Sequence, residues 1–138
     1  MSLIQILVVD DFFPWQRFVR RMLERENDLS IVAAVNDGIN AVEAAAECQP
    51  DVILMDISLP GISGFQAAQQ IRRMSPKSRV LFVSQHREVE FVEAAFQAGG
   101  MGYVLKVDSN SDLLAGIRAV LRGEQFVSHS MRNRSDLP

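Results

Sequence analysis

Val52-Ile53-Leu54-Met55-Asp56-Ile57-Ser58-Leu59-Pro60-Gly61-Ile62-Ser63-Gly64 decides the architecture. Four apolar residues run directly into an aspartate, and a segment punctuated by Pro60, Gly61 and Gly64 follows at once. A short continuous apolar run reads as a strand buried on both faces, the pattern of a parallel sheet. The Pro/Gly segment ends it. Asp56 is thereby placed where a buried strand opens into a loop. In open parallel sheets, ligand sites lie at the carboxyl ends of the strands, so this carboxylate is a candidate for chemistry.

The surrounding chain repeats the alternation. Strands are expected over residues 3–9, 29–35, 52–55, 79–84 and 101–105. Helices are expected over 14–25, 41–48, 64–74, 88–98 and from 109 or 111 to 122. In the first helix Trp15, Phe18, Val19, Met22 and Leu23 fall at helical spacing, with arginines on the outer side. Ser63 is placed to cap the third helix, with Phe65, Ala68, Ile71 and Met74 facing inward. Ser109 or Ser111 is placed to cap the last. Asn36-Asp37-Gly38 reads as an ordinary turn. Strand–helix alternation with short loops implies an α/β doubly wound five-stranded parallel sheet with five helices.

Composition bounds the function. The chain has 138 residues, enough for one domain with a real core, and 48% are hydrophobic against 22% charged. A net charge of −3 gives no global basic footprint for nucleic acid, so no direct nucleic-acid binding is expected. No apolar run approaches the ~20 residues of a membrane span. The opening residues do not read as a signal peptide. Cys48 is the single cysteine and reads as a small buried hydrophobe in a reducing cytoplasm.

Polar residues collect at the expected strand ends: Asp10-Asp11 after the first, Asp56 after the third, Ser84 after the fourth and Lys106 after the fifth. With the strand order 2-1-3-4-5, the first and third strands are neighbours at the point where the winding reverses. Adjacent strands lie ~4.8 Å apart, so three carboxylates would crowd together and repel unless a cation joined them. Oxygen-only donors suit Mg²⁺ or Mn²⁺. With a lysine and a hydroxyl added, the pocket suits a phosphoryl group, and Asp56 is the natural nucleophile for one.

These residues resemble the receiver domain of two-component response regulators, the CheY-like fold. The matching pieces are Val8-Val9-Asp10-Asp11, Asp51-Val52-Ile53-Leu54-Met55-Asp56, Leu59-Pro60-Gly61-Ile62-Ser63-Gly64, Val83-Ser84, and Gly99-Gly100-Met101-Gly102-Tyr103-Val104-Leu105-Lys106. The resemblance implies a receiver over residues 1–122 in which Asp56 is the phospho-acceptor, charged by a histidine kinase or phosphotransfer protein. It implies that Asp11, Asp56 and the backbone carbonyl of Ser58 hold Mg²⁺ (or Mn²⁺), with Asp10 reaching it through water. Lys106 would pair with the phosphoryl oxygen, Ser84 would be the switch hydroxyl, and Tyr103 the aromatic residue that reports its movement. Helix four, strand five and helix five would form the output face, with homodimerisation on phosphorylation as one use of it. Such a domain is a phospho-acceptor with slow self-dephosphorylation, not an enzyme. An interaction module that works without phosphorylation is the alternative.

Three departures from the family pattern stand out. Gln85 follows Ser84 where a small residue is usual, and a larger side chain there is expected to narrow access to Asp56. Val107 follows Lys106 where many receivers have proline, so no cis peptide is expected. Phe12-Phe13-Pro14-Trp15 is bulky and apolar for a first loop; its rings read as core or loop packing somewhat more readily than as a partner surface. Ser58 and His86, two places after Asp56 and Ser84, occupy positions that by resemblance tune the lifetime of the acyl phosphate; His86 otherwise reads as an exposed loop residue. Residues 123–138 read as a tail or the start of a linker, because Gly123-Glu124-Gln125-Phe126-Val127-Ser128 resembles the segment joining receivers to helix-turn-helix output domains. The chain is accordingly expected to be a receiver cut from a longer transcription regulator, with a single-domain regulator as the other reading.

Overall fold

A computed structural model describes residues 3–132. The strands are β1 (Ile4–Val9), β2 (Leu29–Val35), β3 (Val52–Met55), β4 (Arg79–Ser84), β5 (Gly102–Leu105) and β6 (Phe126–Val127). They form one parallel sheet in the order β2-β1-β3-β4-β5-β6. The helices are α1 (Phe13–Glu24), α2 (Gly38–Cys48), α3 (Gly64–Met74), α4 (Val89–Gln97), α5 (Ser109–Leu121) and α6 (His129–Arg132). A single 3₁₀ turn, Lys106–Asp108, joins β5 to α5.

Alternation along each central strand divides the core in two. Ile6, Val8, Val52, Leu54, Leu81, Val83 and Val104 point to one face, where Trp15, Val19 and Leu23 of α1 and Leu113 and Ile117 of α5 cover them. Leu7, Val9, Ile53, Met55, Phe82, Tyr103 and Leu105 point to the other, against the small residues Ala41, Ala45, Ala67, Ala68 and Ala95 of α2, α3 and α4. Helices on both faces explain why Ile6–Val9 of β1 and all of β3 read as unbroken apolar runs rather than alternating ones.

The expected five-strand core and its order stand, and the structure adds to them. Phe126–Val127, in the stretch read as tail or linker, is a sixth strand: the Phe126 amide donates to the Met101 carbonyl and the Ser128 amide to the Tyr103 carbonyl. Two residues are too few for a period to show in the sequence. Asn36-Asp37-Gly38 is more than a turn. Asp37 caps α2 by accepting from the Asn40 amide at 2.7 Å, so this helix starts at Gly38, not at residue 41. Ser63 and Gln66 form a reciprocal capping box on α3, as the spacing suggests. Neither Ser109 nor Ser111 caps α5. Each hydroxyl instead donates to a backbone carbonyl three residues earlier, Lys106 and Asp108, which is how the 3₁₀ turn runs into the helix. Met74 is exposed rather than inward, because α3 ends there, and Cys48 is half-buried. The peptide bond before Val107 is trans.

Gly64 couples this architecture to the loop after β3. A Cβ on Gly64 would lie 2.0 Å from the Asp56 carbonyl oxygen and 3.0 Å from the Ile57 Cα, so α3 packs against the chain at Asp56 only because no side chain is there. Both neighbours are backbone, which cannot swing away. Gly64→Ala should therefore destabilise the domain by on the order of 3 kcal/mol, a loss of the overpacking class, measured as a lowered urea midpoint with unchanged m-value. A loss below about 0.5 kcal/mol, the range of ordinary surface substitutions, would contradict this packing.

Candidate functional site

Register brings the strand ends together. Val9 of β1 lies opposite Met55 of β3, so the next residues, Asp10 and Asp56, emerge side by side. The Asp56 amide donates to the Val9 carbonyl, and the Asp10 amide to the Val35 carbonyl, extending both ladders by one rung. On the other flank Ser84 lies opposite Leu105, which delivers Lys106 to the same edge.

Four charged groups converge there. The Lys106 ammonium lies 2.8 Å from Asp10 Oδ2 and 3.7 Å from Asp56 Oδ2. It also stands over the Trp15 ring, 5.2 Å from its centroid, which assigns that indole a part in holding the lysine as well as in the core. Asp10 is buried; its Oδ1 accepts from the Phe12 amide at 2.9 Å and turns the chain into α1. Asp11 points outward beside it, exposed. Asp56 Oδ1 accepts from the Ile57 amide at 2.8 Å. The Gln16 side chain ties the end of β1 to that of β2 by donating to the Asp10 and Val35 carbonyls.

His86 is the part of this site that the sequence reading understates. It is half-buried, and its backbone and ring both carry contacts. Its amide donates to Ser84 Oγ at 3.1 Å, and its carbonyl accepts from the Tyr103 hydroxyl at 2.8 Å. Its ring stacks on Phe91 at 4.0 Å and meets the Ser58 hydroxyl at 3.2 Å. Ser84 and Tyr103 are both fully buried, and the backbone of this residue bonds to each of them. Backbone bonds of this kind leave no trace in residue type; the only signal is position, two places after Ser84. Of the bulky first loop, Phe12 and Phe13 stand in solvent at 57% and 65% exposure while Trp15 is buried, so only the last of the three rings packs inward.

A cleft of about 390 Å³ opens over these groups, lined by Asp10, Asp11, Asp56, Ser58, Ser84 and Lys106, with Phe12, Gln85 and His86 at its rim. Gln85 is exposed and is one of the residues that line the cleft. Oxygens of Asp10, Asp11 and Asp56 lie within 4.8 Å of one another. Asp10 Oδ2 is buried and receives no hydrogen bond; the lysine meets it as an ion pair alone. An orphaned buried carboxylate oxygen within an all-oxygen donor set is what a small hard divalent cation satisfies.

Electrostatics report the same crowding. Burial pushes the Asp56 carboxyl up from 3.8 to about 6; the neighbouring charge of Asp10 adds to this, Lys106 and the Ile57 amide oppose it, and Asp11 raises it a little further. Burial likewise pushes the Tyr103 phenol up to about 12, against the opposing hydrogen bond of Ser84, so it stays a neutral donor.

The comparisons with known proteins agree with this geometry. Residues 6–118 match the family model of the response regulator receiver domain. This chain belongs to the response regulator receiver family. It is 34% identical over 124 residues to the transcriptional regulatory protein DegU of Brevibacillus brevis, covering 90% of this chain and 52% of that protein. It is 33% identical over 126 residues to the response regulator GacA of Pseudomonas viridiflava, covering 91% and 59%. The chain thus spans just over half the length of these relatives. A solved two-component response regulator of the LuxR family from Aurantimonas sp. SI85-9A1 superposes with a TM-score of 0.89 at 33% identity, covering 94% of this chain and 93% of that one. The response regulator domain of Thermotoga maritima CheB gives 0.82 at 29%, covering 88% and 98%. No helix among the described residues is long and apolar enough to cross a membrane.

The receiver pocket carries a stability cost. Because the folded protein binds the Asp56 proton more tightly than the unfolded chain, it holds more protons between about pH 4 and 6, and stability falls as pH rises through that window. At about 1.4 kcal/mol per pKa unit the cost at neutral pH is on the order of 2–3 kcal/mol. Asp28, Asp108, Asp112 and Glu124 are all shifted down, so near the acid end of this window they contribute slope of the opposite sign, which cancels when the natural protein is compared with an Asp56 variant. Without divalent cations, Asp56→Asn should be more stable than the natural protein at pH 7.5 by on the order of 1–3 kcal/mol, with the difference shrinking toward pH 4.5. Urea melts at the two pH values measure this; an equal difference at both would contradict the upward shift assigned to burial and to the neighbouring Asp10.

Proposed function

We propose that Asp56 is the phospho-acceptor of this receiver and that its donor is a phosphohistidine on a histidine kinase or phosphotransfer protein. The single observation that carries this reading is Lys106, an ammonium set between a buried carboxylate and Asp56 at the floor of an open cleft. An Asp56 oxygen attacks the phosphorus, the phosphorus–nitrogen bond breaks, and the imidazole leaves with the electron pair. Lys106 offers its charge to the transferring oxygens, moving from Asp10 toward the acyl phosphate. Asp11, Asp56 and the Ser58 carbonyl would hold Mg²⁺ or Mn²⁺, with Asp10 acting through water. When bound, that ion neutralises charge on the phosphoryl oxygens and on the crowded carboxylates.

Ser84 is the hydroxyl in reach to answer the new phosphoryl group. Its exchange of the His86 amide for a phosphoryl oxygen would free the loop that holds the Tyr103 hydroxyl. A charge event of this kind biases a two-state element, which is the physical content of a switch. The chemistry is stoichiometric, so the domain is a phospho-acceptor rather than an enzyme. The name of the longer relative DegU, a transcriptional regulatory protein, supports transcription control as the output, which a DNA-binding domain outside these residues would carry. Cytoplasmic residence, and homodimerisation as part of the output, belong to the same reading.

Incubation with Mg²⁺ and acetyl phosphate tests it. The natural protein should gain the mass of one phosphoryl group and Asp56→Asn none. Lys106→Ala should slow acceptance on the order of 100-fold, the usual cost of removing one preorganised charge-stabilising donor. A natural protein that gains no mass would leave the fold serving as an interaction module that works without phosphorylation.

A further inference from the structure

The segment after α5 forms a strap. From Gly123, whose φ of +80° turns the chain back, it runs along the outer edge of β5. Backbone bonds from the Phe126 and Ser128 amides seat it there, and Met131 is buried in the same core cluster as Tyr103. The edge of β5 is therefore paired by the chain itself, within the face expected to serve as output.

The far end of the strap is clasped by two buried carboxylates, Asp108 and Asp112. Asp112 Oδ2 accepts from the His129 amide at 2.7 Å and meets its ring nitrogen at 2.9 Å. Asp108 accepts from the hydroxyl of Ser128, and from the Ser130 hydroxyl at 2.6 Å and amide at 3.2 Å. Ser128 is itself fully buried. Burial pushes both carboxyls up, but these hydrogen bonds together outweigh it and hold them below the ordinary carboxylate value. The oxygens of Asp108, Asp112 and a His129 nitrogen cluster closely, yet each is already spent on the strap, and they are read here as a clasp.

The position of Asp108 gives the clasp its meaning. It is the last residue of the 3₁₀ turn that begins with Lys106. One three-residue turn thus carries, at one end, the ammonium that faces Asp56 and, at the other, the carboxylate that holds the strap. We propose that residues 126–132 are a docked strap whose release is coupled to the state of Asp56 through the turn Lys106–Asp108. The coupling rests on the reading of Asp56 as phospho-acceptor; the docking does not. A phosphoryl group on Asp56 draws Lys106 away from Asp10, the short turn rotates with it, and Asp108 loses its directional bonds to Ser128 and Ser130. The edge of β5 is then open to a partner.

Residue-resolved hydrogen exchange on the full chain tests both halves, with Mg²⁺ and beryllium fluoride as the phosphoryl mimic. In the unliganded protein the Phe126 and Ser128 amides should be protected. With the mimic they should exchange about tenfold faster or more, the scale set by losing one or two hydrogen bonds, while amides next to Asp56 and Ser84 become slower. Ser128→Ala combined with Ser130→Ala, which leaves both aspartates and the phosphoryl pocket intact, should speed the same two amides without the mimic and leave acceptance of phosphoryl from acetyl phosphate unchanged. Unprotected amides at 126 and 128 in the unliganded protein, or a double variant that exchanges like the natural chain, would overturn the docked strap. Slowed pocket amides with unchanged strap amides would overturn the coupling alone. No change at pocket or strap would overturn the coupling together with the reading of Asp56 on which it rests.

Discussion

Three carboxylates at two adjacent strand ends repel, and the ammonium of Lys106, just after β5, meets two of them, Asp10 and Asp56. Much of the molecule is arranged to maintain that juxtaposition. The parallel register of β1 and β3 brings Asp10 beside Asp56, and the register of β4 and β5 delivers Lys106 within reach of both. Trp15 lies under the lysine, Gln16 pins the end of β1 to β2, and Gly64 lets α3 close against the Asp56 carbonyl. The Asp56 carboxyl shows what remains unbalanced: burial and Asp10 raise it more than Lys106 and the Ile57 amide lower it. Burial and like-charge crowding in such a pocket favour whatever neutralises the carboxylates, a proton or a cation.

The carboxyl end and the outer edge of β5 divide the labour. Its carboxyl end feeds the charged pocket through Lys106, and its outer edge carries the strap through β6. Tyr103 lies between them, its hydroxyl on the loop that Ser84 anchors and its carbonyl on the Ser128 amide. A change at the pocket therefore has two short paths to the same edge, one through the Lys106–Asp108 turn and one through the His86 loop. Neither path requires movement of the central strands, whose side chains are packed on both faces.

Most of the fold could be read from residue type because parallel strands buried on both faces write themselves as apolar runs, and helices between them as three-to-four periodicity. The site was legible for the same reason. Asp10, Asp11, Asp56, Ser84 and Lys106 interrupt those runs at their carboxyl ends, where polar residues have no packing role to explain them. What stayed hidden depends on backbone partners or on very short elements. Two residues of β6 show no period, Asp37 looks like a turn residue until the Asn40 amide is seen to bind it, and Ser109 and Ser111 satisfy the cap rule by type while bonding carbonyls instead. His86 is legible only as a position, since its amide and carbonyl make the bonds that tie Ser84 to Tyr103. Asp108 and Asp112 look like ordinary residues of a first helical turn until the strap is placed against them.

Among the described residues two clusters bring possible metal-ligand atoms close together, Asp10/Asp11/Asp56 and Asp108/Asp112/His129. Only the first contains an unsatisfied buried oxygen, Asp10 Oδ2. Titration with Mn²⁺, followed by paramagnetic broadening of amide resonances, distinguishes them directly. Saturable broadening centred on residues 10, 11 and 56–58, abolished by Asp11→Asn, is the result that follows from crowded carboxylates awaiting a cation. Broadening centred on residues 108, 112 and 129, or none that saturates, would contradict it.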